Sequence, residues 1–195
     1  MEGRNQKIKD TYPGIHIVGE GITEQYYFTH IKHIYNYRCI VKPRFFEQTC
    51  ISDIQKCTIK LLKEDADVIC VFDADVSSRN LKENNALALF KQKYGNNKHV
   101  IICDSLPSIE FWFLLHYKET NRYFLNSDAV AKILKKHLKD YCKNKTYLEK
   151  ENWVRDLCSD GKLDMALERS KSDALHDGSY SDLYKAFECL SGEEI

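Results

Sequence analysis

The sequence predicts an α/β fold of about four mostly parallel strands flanked by helices, with a helical C-terminal half packed on the sheet. Three observations predict it. Short β-branched runs alternate with helical patterns through the first half of the chain, which is the pattern of βαβ units. The run from Val68 to Phe72 is apolar at every position, as expected for a strand covered on both faces. Beyond Asp104 the periodicity turns mostly helical, and no proline follows Pro107.

The first strand, 14–19, is entered through Pro13-Gly14 and left through the glycines on both sides of Glu20. Thr23 is suited to cap the next helix, in which Tyr26, Tyr27, Ile31 and Ile34 recur at roughly helical spacing up to Asn36. Residues 39–46 read as a second strand, and Pro43, with no N–H to give to a ladder, argues for a place at the sheet edge. Ser52 and Asp53 suit the cap of a helix that carries Ile54, Cys57, Leu61 and Leu62 on one face. The third strand, 67–72, ends on Asp73. A helix over 81–94 stops at Gly95-Asn96-Asn97, and 100–103 forms the fourth strand. Helical stretches follow at 109–117, 128–139, 146–157, 162–176 and 181–190. With no linker, low-complexity segment or repeat, 1–195 reads as a single domain, an α/β core over 1–104 carrying a helical extension over 105–195.

Lys+Arg and Asp+Glu each count 29, so the formal net charge is zero and no general attraction to nucleic acid or anionic lipid is expected. Any polyanion contact must be local, and Lys132, Lys135, Lys136, Lys139, Lys143 and Lys145 are spaced to form a local basic stripe. The eight cysteines contain no CxxC pair and no secretory leader is evident, so they read as reduced cytosolic thiols. Apolar stretches fall well short of the roughly 20 residues that span a bilayer, so a soluble, cytoplasmic protein with no membrane contact is expected.

Loops leaving the carboxyl ends of parallel strands converge on one crevice. Glu20 follows the first strand, Asp73 and Asp75 the third, and Asp104 the fourth, so these carboxylates are expected to share one rim. Glu24 falls in the first turn of the next helix, whose dipole favours an anion. Like charges so gathered are relieved by protonation, solvation or a bound cation, and carboxylate oxygens suit magnesium or manganese. Two such ions can stabilise the attacking and leaving oxygens of a displacement at phosphorus, so phosphoryl transfer is the natural chemistry. Each signal alone has a plainer reading: Asp73-Ala74-Asp75 as a solvated turn, Gly19-Glu20-Gly21 as a strand-to-helix turn. His30 and His33 lack a third ligand and read as packing or surface residues, as does His116. The Phe111 to Leu115 segment reads as a buried helix before a base-stacking platform.

Three ordered blocks carry a family resemblance: Ile17-Val18-Gly19-Glu20-Gly21-Ile22-Thr23-Glu24-Gln25-Tyr26-Tyr27-Phe28, then Val71-Phe72-Asp73-Ala74-Asp75, then Ser105-Leu106-Pro107-Ser108-Ile109-Glu110-Phe111-Trp112-Phe113-Leu114-Leu115-His116-Tyr117. Together they resemble the RloB family, with looser likeness at Tyr141-Cys142-Lys143 and at Tyr180-Ser181-Asp182-Leu183-Tyr184. Leu106 stands where many family members carry Asn. That family is similar to the TOPRIM-like domains of the OLD nucleases, found in prokaryotic restriction and abortive-infection neighbourhoods. The resemblance implies a TOPRIM/Rossmann-like fold and a metal-dependent phosphodiesterase or nuclease acting on DNA or RNA, tRNA included, in anti-phage defence. It implies Glu20, Glu24, Asp73 and Asp75 as ligands of Mg2+ or Mn2+, and Glu110 as a further site residue, although a Glu so close to Ser108 also suits a helix cap. By its family position Lys143 is the candidate cation or proton donor near the leaving group. Ser105 and Ser108 are candidates to orient a phosphate. Two other functions compete. Nucleotidyl transfer on the same site is disfavoured by the lack of a phosphate-cradling Gly-rich loop. A non-catalytic or partner-activated effector subunit, its helical half docked on a partner ATPase, is the stronger alternative.

Overall fold

The computed structural model describes residues 14–42, 50–75, 81–172 and 178–192. The parallel strands are β1 (Ile15–Gly19), β2 (Cys39–Lys42), β3 (Asp67–Asp73) and β4 (Val100–Leu106). A two-residue strand, β5 (Tyr180–Ser181), adds antiparallel to the end of β4, so the sheet order is β2-β1-β3-β4-β5. Helices α1 (Ile22–Tyr35), α2 (Ile51–Leu62) and α3 (Leu81–Tyr94) connect the parallel strands. The second half supplies α4 (Ile109–Leu115), α5 (Ser127–Leu134), α6 (Lys145–Leu148), α7 (Asn152–Cys158), α8 (Lys162–Ser170) and, after β5, α9 (Tyr184–Ser191).

Strand alternation divides the interior in two. Val18, Val68, Cys70 and Phe72 face α2 and α3, where Ile51, Ile54, Leu61, Leu87 and Phe90 cover them. Ile17, Ile69, Val71 and Cys103 face a larger cluster that takes in α1, α4 and the later helices out to Phe187. All seven residues of α4 are buried, so this helix is the centre on which the helical half packs. Trp112 donates its indole N–H to the Tyr27 hydroxyl at 2.7 Å and lies parallel to Phe187. Both cores are continuous with the sheet.

β2 takes the sheet edge that Pro43 argues for, while 43–46 lie outside the described residues. Several boundaries depart from expectation. The cap of α1 is Gly21 rather than Thr23, because the Glu24 carboxylate folds back to accept the Gly21 N–H at 2.9 Å. Helix α2 starts two to three residues earlier than Ser52 and Asp53 suggest, with Cys50 at the cap and Ile51 already buried. The predicted 128–139 helix ends at Leu134, where tight turns from Lys136 to Ile133 and from His137 to Leu134 replace the α pattern. The predicted 146–157 helix is two short ones, the first capped by Asn144. Helix α8 stops at Ser170, and 173–176 fall outside the described residues. The predicted helix from Ser181 begins instead at Tyr184, because Tyr180 and Ser181 pair with Leu106 and Ser105. All eight cysteines are free thiols, and among the described residues no helix is long and apolar enough to cross a membrane.

Candidate active site

The parallel register brings the ends of β1 and β3 together: Gly19 lies opposite Val71, and the Glu20 N–H donates to the Val71 carbonyl at 3.1 Å. The Glu20 carboxylate then accepts the Asp73 N–H at 3.2 Å. On the other side the Ala74 N–H donates to the Ser105 carbonyl at 2.7 Å, which ties the Asp73-Ala74-Asp75 turn to β4. Asp73 Oδ1 accepts the Ile109 N–H at 3.0 Å and so serves as the cap that Ser108 does not provide to α4. Two strand ends and two helix starts thus meet at these carboxylates. Gly19 is required here by close approach rather than by a left-handed turn, since a Cβ on it would lie 2.8 Å from the Cβ of Glu24.

Glu110 is fully buried in the first turn of α4, and its three partners are all donors. Ser108 Oγ donates to Oε2 at 2.6 Å, the Tyr141 hydroxyl donates to Oε1 at 2.6 Å, and Lys143 Nζ lies 2.9 Å from Oε1. The Lys143 side chain is 43% exposed while Glu110 is sealed, so the lysine has one end fixed in the protein and its flank open to an incoming anion. Burial alone would draw the Lys143 ammonium toward neutrality. The charges of Glu110, Asp73 and Glu24 outweigh it and raise its pKa, so it stays a cation.

The acids respond in the opposite sense. Burial, with the charges of Glu110 and Glu20, lifts Glu24 from 4.5 to about 7, although its backbone hydrogen bond and Lys143 pull it down. Burial and the charges of Glu24, Glu110 and Glu20 push Asp73 well above the usual carboxylate range. Glu20, Glu24, Asp73 and Glu110 therefore form one electrostatic unit that, among the described residues, faces one ammonium.

The structure brings Glu20, Glu24, Asp73, Glu110 and Lys143 together, and Asp75 follows two residues after Asp73 on the same described segment. Ser108 touches the site through Glu110. Ser105 does so through its carbonyl, its hydroxyl lying 2.7 Å from the Ser181 hydroxyl. Asp104 does not share the rim. Strand β4 continues to Leu106, so Asp104 is inside it and meets Lys91 and the Tyr180 hydroxyl, each at 2.6 Å. Of the lysine stripe, only Lys143 reaches the acids. The end of α5 at Leu134 removes the single helical face the others would have shared. His30 and His33 hold the Leu148 carbonyl and Glu151, and His116 holds the Trp112 carbonyl. Tyr141 is a site residue to which sequence reasoning gives no role; its signal is its place in the looser family likeness at Tyr141-Cys142-Lys143.

Among the described residues no three His, Cys, Asp or Glu side chains are already gathered as a ligand group. The reason is geometric: Glu20, Glu24 and Asp73 each turn an oxygen onto a backbone N–H. The donor chemistry nonetheless fits a hard divalent ion, since every candidate ligand is a carboxylate oxygen and, among the described residues, four acids face a single ammonium.

The family model for RloB-like proteins matches residues 15–185, which takes in the acidic turns, α4, Tyr141 and Lys143. The chain belongs to the RloB family. No curated protein and no solved structure matched it significantly. Within this RloB-like chain the matched segment ends at Lys185, the second residue of α9, and so covers the whole sheet.

Proposed function

We propose that this RloB-like protein is a metal-dependent nuclease that hydrolyses phosphodiester bonds of DNA or RNA, tRNA included, with a TOPRIM-like arrangement of its acids. The observation that carries the reading is the partly buried acidic unit at the carboxyl ends of β1 and β3, where ligands bind in open parallel sheets. Glu20, Glu24, Asp73 and Asp75 would hold Mg2+ or Mn2+, which supplies charge neutralisation at phosphorus and a more acidic bound water. Glu110, Ser108 and Tyr141 orient the Lys143 ammonium. Its raised pKa suits a fixed cation that attracts the phosphate better than a proton donor at neutral pH. Ser105 acts by holding the Ala74 turn rather than by touching substrate.

A second reading, a partner-activated effector of a prokaryotic defence system, is favoured by one observation: Glu20, Glu24 and Asp73 each have one carboxylate oxygen tied to a backbone N–H, and closing the three acids round one cation calls for a rearrangement. Docking of a partner, such as an ATPase, on the helical half would supply that rearrangement. The test is cleavage of plasmid DNA, single-stranded DNA and total tRNA with magnesium or manganese, against EDTA and an Asp73→Asn variant. Cutting that needs the metal and is lost in the folded variant supports the nuclease. No cutting by the folded protein alone, with or without metal binding, favours the partner-activated reading, and cutting that persists in EDTA or in the Asp73→Asn variant defeats the metal site on which both readings rest.

A further inference from the structure

Strand β4 is paired with β3 from Val100 to Ser105, but β5 covers only Ser105 and Leu106 on its other side. In a parallel ladder alternate residues turn their N–H and C=O toward opposite neighbours. The His99 and Ser105 carbonyls accept from Val68 and Ala74, so odd-numbered residues of this strand face β3. Even-numbered residues face out: the Val100 N–H donates to the Asn97 carbonyl, and the Asp104 carbonyl accepts from the Asp182 N–H. Ile102 lies between them. Its N–H and its C=O both point away from the sheet, and among the described residues neither has a partner.

This edge is recessed. Helix α3 covers one face of the sheet and α9 the other, and between them runs a groove of about 620 Å³. Its floor is Val100, Ile101 and Ile102, and its walls carry Lys91, Lys98, Asp182 and Lys185. Lys91 pairs with Asp104 and Lys185 with Asp182, which leaves Lys98 without a carboxylate among the described residues. The groove thus offers backbone hydrogen bonds, half-buried apolar side chains and a net positive charge. A second copy brought edge to edge would set these lysines against their own counterparts, and helices on both faces leave room for one strand rather than another two-layered body.

We propose that the outer edge of β4 at Ile102 takes an extended acidic segment of a partner protein as an added strand. The recess and the lysines keep the edge from pairing indiscriminately, as edge lysines do in other sheets. The segment's backbone supplies the acceptor and donor for Ile102, its apolar residues lie over Ile101 and Ile102, and its carboxylates meet Lys98.

The test uses the full chain, labelled with 15N, and a capped heptapeptide alternating glutamate and valine. Saturable shifts confined to 101–104 and Lys98, with slowed exchange of the Ile102 amide, are expected. A peptide N-methylated on the strand-facing side should bind about tenfold or more weakly, the effect of losing its main-chain bonds. Ile102→Pro removes the outward N–H without touching the ladder to β3, and Lys98→Glu reverses the free charge; each weakens binding. Absence of saturable shifts, or equal affinity for the N-methylated peptide, overturns the proposal. So does a dimer whose Ile102 amide is already protected without peptide. Should Ile102→Pro fail to fold, the N-methylated peptide and Lys98→Glu decide it.

Discussion

Replacing Glu24 by Gln should make the metal-free protein more stable at alkaline pH, and the size of the gain follows from the site. The side chain is buried, and burial with the charges of Glu110 and Glu20 raises its pKa from 4.5 to about 7. The folded protein therefore holds a proton that the unfolded chain releases earlier. Between pH 4.5 and about 7 it binds more protons than the unfolded chain, so this group's contribution to stability declines as pH rises through that window. Above it the loss is complete, and at about 1.4 kcal/mol for each tenfold change in proton affinity it approaches about 3 kcal/mol as an upper bound. Gln has no proton to lose, and its amide oxygen can still accept the Gly21 N–H. Thermal melts in EDTA at pH 4.5 and about pH 8 should then show equal stability in acid and a variant ahead by up to roughly 6–12 °C in base. Added magnesium should close that gap by stabilising wild type. A variant less stable at both pH values, or a gap that does not grow with pH, would refute the account of Glu24 as a buried, repelled acid.

Tyr141→Phe removes one of the donors that hold Glu110 and orient Lys143. Cleavage should fall about 10–100-fold, as for supporting residues of metal sites, with metal affinity read by calorimetry nearly unchanged. His116 is buried with its pKa held near 3 by burial, against 6.5 ordinarily. Its contribution is full above pH 6.5 and lost as pH falls toward 3, so urea midpoints should drop through that window less steeply in His116→Phe than in wild type. Tyr27→Phe strands the buried Trp112 N–H and should cost about 1–3 kcal/mol by urea unfolding. Gly19→Ala forces a Cβ to 2.8 Å from that of Glu24, and a loss of about 2 kcal/mol, with metal binding weakened, should appear in melts with and without magnesium.

Much of the core was legible because burial leaves a one-dimensional trace. A strand covered on both faces must be apolar throughout, and Val68 to Phe72 is. A residue without an N–H belongs at an edge, and the strand before Pro43 is there. Positions just past strand ends converge in a parallel sheet, so Glu20 and Asp73 were readable as neighbours.

Boundaries in the helical half were less legible, since periodicity does not record where a turn tightens; nothing in the spacing of 128–139 marks Leu134 as the end. Strand β5 is only two residues long and exists because Leu106 and Ser105 lie opposite it, a contact 76 residues away in the chain for the paired serines. Asp104 looked like a rim residue because the end of β4 could not be placed, and two more residues of strand turned it toward Lys91 instead.

By itself, then, the sequence determined the α/β layering, the family and the acids at the strand ends, because each follows from local pattern or from position along a strand. What those acids face was decided by tertiary structure alone. The fold buries Glu110 against Tyr141 and Lys143, turns Glu20 and Asp73 onto backbone N–H groups, and leaves Ile102 without a neighbouring strand on its outer side among the described residues. Hydrogen-bond partners and desolvation depend on groups far apart in the chain, and no spacing along it encodes them.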